Sequence, residues 1–114
     1  MTVRITGDLL ALDKRVQRMI RREAEAIEQS FPNRTFDIQA RIAEEFDQLH
    51  GHRVRCELVA TSPERQQVIV REAHKKPEDA ILAAFSGLKP KLRRLRLRRF
   101  DKDAGETALR PTGT

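Results

Sequence analysis

Three stretches in the middle of the chain alternate apolar and polar residues with a period of two, and each has a single apolar face. Phe36, Ile38, Ala40 and Ile42 alternate with Asp37, Gln39 and Arg41, and Val54, Cys56, Leu58 and Ala60 repeat the pattern. Val68 and Val70 repeat it again between Gln67 and Glu72. Strands of this kind bury one side and leave the other to water, so the sheet needs one cover layer and only one. A shorter alternation, Val3 and Ile5 among Thr2, Arg4 and Thr6, stops at Gly7-Asp8 and predicts a further strand at the start. The polar run through Glu44, Asp47, His50 and Gly51 reads as one turn, and Thr61-Ser62-Pro63-Glu64 as the next.

Two segments supply the cover. After Asp13, a candidate N-cap, the residues Val16, Ile20, Ala24, Ile27 and Phe31 recur at helical spacing up to Pro32-Asn33, which predicts a helix from Lys14 to Ser30. Pro77 suits the first turn of a second helix, Glu78 and Asp79 complement its positive end, and Ile81, Phe85, Leu88, Leu92 and Leu95 form its apolar line. The first helix joins strands one and two as a crossover, so those strands are expected to be parallel, and the short later turns make the others antiparallel. The expectation is an α+β fold of order β-α-β-β-β-α, a four-stranded mixed sheet with two helices packed on one face.

With 114 residues, of which 39% are apolar and 4% aromatic, the chain has room for one modest core built from aliphatic residues and five Phe. That single domain is expected over 1–100. Residues 101–114, rich in Gly, Thr, Ala and Pro without period, are expected to form a disordered tail. The first residues lack the apolar run of a signal peptide and no stretch reaches membrane-spanning length, so a cytoplasmic protein without a membrane partner is expected. One cysteine excludes an internal disulfide framework.

The net charge is +6, yet it is unevenly spread. Acids gather in 23–28 and 44–47, whereas no acid occurs from Ala80 to Phe100, where Lys89 to Arg99 reads Lys-Pro-Lys-Leu-Arg-Arg-Leu-Arg-Leu-Arg-Arg. A solvated helix ordinarily interleaves both signs, since like charges one turn apart repel by about 0.2–0.5 kcal/mol each. An outside partner that supplies negative charge explains the pattern, and polyphosphate is the leading one. With Leu88, Leu92 and Leu95 inward, Lys89, Arg93 and Arg96 fall on one flank, and Lys91, Arg94 and Arg98 on the other. On the first helix Arg15, Arg18 and Arg22 share an outward line, with Lys14 and Arg21 beside it. Arginine dominates the last helix, which suits bidentate phosphate contact and stacking on bases.

Three features together resemble the ribosome hibernation promoting factors, also called sigma-54 modulation proteins or ribosome-associated inhibitors. They are the opening Val3-Arg4-Ile5-Thr6-Gly7, the element order, and the segment Ala84-Phe85-Ser86-Gly87-Leu88-Lys89-Pro90-Lys91-Leu92-Arg93-Arg94. The resemblance covers about residues 1–99. It implies a non-enzymatic factor, without cofactor or small-molecule substrate, that binds small-subunit rRNA between head and body, where mRNA and tRNA lie, and inhibits translation under stress. Basic residues on the two helices would make the RNA contacts, so Arg15, Arg18, Arg22, Lys89, Lys91, Arg93, Arg94, Arg96 and Arg98 become the candidate site. The chain departs from the family at Pro77-Glu78-Asp79-Ala80-Ile81-Leu82, where an acidic-aromatic segment is usual, and at Pro90 within the helix. No second domain follows, so a short-form member, monomeric off the ribosome, is implied.

Two other readings compete. A sheet backed by two helices with a basic face also suits a general binder of double-stranded RNA or DNA. His50, His52 and Cys56, with Glu44, Glu45 and Asp47, invite a metal-dependent hydrolase, but Cys56 is expected to face the core and the ligands do not converge, so no metal is expected. No nucleophile, base and orienting group occur together, and there is no glycine-rich phosphate loop. Glu23, near the buried line of the first helix, is expected to snorkel or to pair with a sheet cation.

Overall fold

The computed structural model describes residues 2–108, with side chains as far as Leu95. Strand β1 spans Val3–Gly7, helix α1 Lys14–Ser30, β2 Asp37–Asp47, β3 Gly51–Thr61, β4 Gln67–His74 and helix α2 Pro77–Ala108. The sheet has four strands in the order β1-β2-β3-β4. Strands β1 and β2 are parallel, in a register that sets Val3 against Ile38 and Gly7 against Ile42. The pairs β2–β3 and β3–β4 are antiparallel, with Ala40 opposite Leu58 and Leu58 opposite Val70. The fold is therefore α+β in the expected order and mixed sheet sense.

The alternating apolar residues named on the three central stretches are buried, whereas Val3 and Ile5 of β1 are partly buried and pack against the same core. Ile38, Ala40, Ile42, Val54, Cys56, Leu58 and Ala60 are at most 2% exposed and form one core with Val16, Ile20, Ala24 and Ile27 of α1 and Ile81, Phe85, Leu88, Leu92 and Leu95 of α2. One core containing one sheet face and both helices means that both helices cover the same side. Phe31, closing α1, meets Phe36, opening the route to β2, edge to face at 5.8 Å. The guanidinium of Arg34 lies 5.3 Å from the Phe36 ring centre, which anchors the link between α1 and the sheet.

The structure departs from the sequence expectations in three places. A short 3-10 helix, η1, spans Leu9–Leu12 between β1 and α1. It is held by the Asp8 carboxylate, which accepts from the Leu10 amide at 2.9 Å and from the Glu44 amide at 2.8 Å. Second, β2 does not end before Glu44 but runs to Asp47, so the turn is confined to the residues between Asp47 and Gly51. Its acids are strand residues with partners on β3: Glu45 takes both nitrogens of the Arg55 fork, at 2.9 and 3.3 Å, and Glu44 lies 3.4 Å from His52. Third, α2 continues through Pro90 and past Phe100 to Ala108. Proline removes one amide from the ladder but leaves the flanking hydrogen bonds to carry the helix, and 101–108 hold no second proline to stop it. The rest of the expected tail, 109–114, lies outside the described residues.

Candidate nucleic-acid interface

Helix α1 begins where Asp13 caps it, its Oδ1 accepting from the amides of Arg15 at 2.8 Å and Val16 at 3.1 Å. Because Val16, Ile20, Ala24 and Ile27 point into the core, Arg15, Arg18, Arg21 and Arg22 are driven to the water side, and all four are exposed. Arg15 comes within 3.8 Å of Glu78 on α2. With the two side chains 80% and 51% exposed, this pair holds little and leaves the arginine available.

Helix α2 is set by the same logic. Leu88, Leu92 and Leu95 are at most 4% exposed, and the residues between them turn outward: Lys91, Arg93 and Arg94 are exposed and Lys89 is half-buried. The two flanks expected from the helical wheel face different neighbours. Lys89 and Arg93 look toward α1 across a groove of about 370 Å³ floored by Ile27 and Phe85. Lys91 reaches the other way, donating from Nζ to the Ile69 carbonyl on the outer edge of β4 at 3.2 Å. Glu23, half-buried, also lines the inter-helix groove with Lys89 and Arg93, in keeping with the snorkelling alternative and not with a sheet-cation pair. The side chains of Arg96 and Arg98 lie outside the described residues.

The opposite face of the sheet is electrostatically different. Arg55 pairs with Glu45, which raises the arginine above its ordinary pKa range, and Arg71 pairs with Glu57 through Nε. Across that face cations meet carboxylates strand by strand, whereas from Ala80 onward α2 offers cations and no acid as far as Phe100. A polyanion gains more by facing the uncompensated surface, because there it releases its own counterions without breaking ion pairs already made.

The histidine and cysteine residues do not assemble into a centre. Cys56 is wholly buried, and desolvation pushes its thiol up to about 12, so it is neutral and unreactive. His50 bonds Asp47 at 2.9 Å, His52 faces Glu44, and His74 bonds Glu72 at 3.1 Å. Each thus has its own carboxylate, and among the described residues no three His, Cys, Asp or Glu side chains are placed to share a metal ion.

No family model matches the chain, and no curated protein matches it. Solved structures do. The N-terminal domain of Protein Y from Thermus thermophilus superposes with a TM-score of 0.68 at 14% identity, covering 83% of this chain and 99% of that one. A ribosomal subunit interface protein from Coxiella burnetii superposes with a TM-score of 0.68 at 9% identity, covering 85% of this chain and 99% of that one. The molecule described here has the fold of these two proteins.

Proposed function

We propose that this protein is a non-enzymatic, ribosome-associated factor that binds small-subunit rRNA through the exposed cations of α1 and α2. On this reading it occupies the channel of mRNA and tRNA and holds idle ribosomes silent. The observation that carries the proposal is the uncompensated charge on α2, set beside the exposed arginines of α1 on one side of the molecule. The shared fold with a ribosomal subunit interface protein supports it. Arg15, Arg18, Arg22, Lys89, Lys91, Arg93, Arg94, Arg96 and Arg98 are the contacts proposed, mostly to phosphate oxygens, with arginine planes free to stack on unpaired bases. Lys91 would exchange its bond to the Ile69 carbonyl for a phosphate, which is a stronger acceptor because it is charged.

Co-sedimentation tests the proposal. The protein should travel with small subunits at low salt, and mRNA together with initiator tRNA should displace it. Equal affinity for arbitrary RNA or DNA duplexes would instead make it a general duplex binder. Absence from the ribosomal fractions of starved cells would overturn the reading.

A further inference from the structure

The end of the molecule where both helices begin is built differently from the cationic side. Strand β1 stops at Gly7, opposite Ile42, and β4 stops at His74, opposite Val54. Strands β2 and β3 run on, pairing Glu45 with Arg53 and Phe46 with His52, so their hairpin projects as a two-stranded ribbon. Phe46 continues the side of β2 that carries Ile38, Ala40 and Ile42, yet no helix covers it there and it is 77% exposed. Leu49 at the ribbon tip is 88% exposed, and Leu9 and Leu12 of η1 are 82% and 70% exposed. Large apolar side chains this bare, gathered at one end of a small protein, mark a contact surface.

Leu49 borders a separate hollow with Arg53 and Lys75, so it is the charges beside Leu9 that identify the kind of partner. Between η1 and the ribbon lies a notch of about 390 Å³ lined by Leu9, Leu10, Asp8, Asp13 and Glu44, with no cation among its lining residues. The amides of Glu44 and Leu10 hold the Asp8 carboxyl below the usual carboxylate range, so it is a permanent anion near neutral pH. An RNA phosphate would be repelled here. A second copy meeting this face with its own is also a poor fit, because it would set the same carboxylates, Asp8, Asp13 and Glu44, against each other. A cationic segment that keeps its apolar side chains on the surface satisfies both features.

We propose that η1 and the uncovered side of the β2–β3 ribbon dock a cationic amphipathic segment of a partner protein, with apolar side chains on Leu9 and Phe46 and its lysines or arginines toward Asp13 and Glu44. This surface adjoins the start of α1 at Asp13 and excludes the cations of α2, and the proposal does not depend on the RNA-binding reading. It gives the molecule two surfaces of opposite character, one cationic and one acidic and apolar.

The test uses the full chain and two labelled helical peptides of equal positive charge, one of lysine and leucine in amphipathic order and one of lysine and serine. Fluorescence anisotropy should show the lysine-leucine peptide binding at least about ten-fold tighter, and the pair Leu9→Ser with Phe46→Ser should remove about that factor. Glu44→Lys alone should weaken binding comparably, which keeps the test valid if the double variant folds poorly. Lys91→Glu with Arg94→Glu should leave peptide binding no weaker than in the wild type. Unchanged affinity in both notch variants would overturn the proposal. So would self-association of the chain that those variants abolish, since the occupant would then be a second copy.

Discussion

At the scale of single residues, Gly7 is the position least able to change. Its φ of +138° lies where side-chain-bearing residues are strained, and a Cβ placed there would sit 1.9 Å from the Ile42 carbonyl oxygen. The obstacle is backbone of the paired strand, so it cannot rotate away. Gly7→Ala should cost about 3 kcal/mol or more, read as a loss of denaturation midpoint. Asp8, its neighbour, ties η1 to β2, and its depressed pKa has a defined sign. The unfolded chain binds the Asp8 proton more tightly than the folded one, so this contribution is present above the ordinary carboxylate value of 3.8 and is lost as pH falls below it through the lower folded value. Melting temperature should therefore decline on acidification, and Asp8→Asn should make the decline shallower. Neither role was legible from the sequence, where Gly7-Asp8 reads only as a strand stop. The carboxylate's partner, Glu44, is far away in the chain, and no local pattern announces such a contact.

At the scale of elements, the periodic segments were legible because burial enforces their periods. Each apolar residue of α1 and α2 named from helical spacing is in the core, and Leu92 is the clearest case at 0% exposure. Leu92→Ala should destabilise the fold by about 2–5 kcal/mol, since its neighbours on α2 and the sheet close the cavity only in part. Unchanged thermal unfolding would show that the buried face of α2 is misassigned. The second half of β2 was not legible, because past Ile42 the pattern is acidic and the strand is held by cross-strand partners such as Glu45 with Arg55. Similarly, the end of α2 could not be read from apolar spacing, since a helix can continue beyond the residues that pack it. Deletion of 101–114 should leave melting and RNA affinity nearly unchanged, because the segment has no apolar period and little of the cationic surface. A marked fall in melting temperature on truncation would show that it packs.

At the scale of the whole molecule, charge is separated between the cationic helix α2 and the acidic notch beside η1. The cationic surface of the helices was legible in composition alone, as an acid-free run in a chain that elsewhere mixes its charges. Its division into a flank facing α1 and a flank reaching the β4 edge needed the packing, because a helical wheel does not say what lies on either side. The acidic, apolar end needed the structure altogether, since Leu9, Phe46 and Asp13 come from separate elements. The most direct measurement is the affinity for isolated small subunits as a function of salt, for the wild type and for Lys91→Glu, Arg94→Glu and Arg98→Glu combined. If α2 grips phosphates, wild-type log affinity should fall steeply with log salt, and each lost contact should reduce the slope by roughly 0.7–0.9. The triple variant should lose binding while its circular dichroism and melting stay as in the wild type. An unchanged affinity and slope in a folded triple variant would contradict the account, because the cations of α2 would then not be the surface that meets RNA.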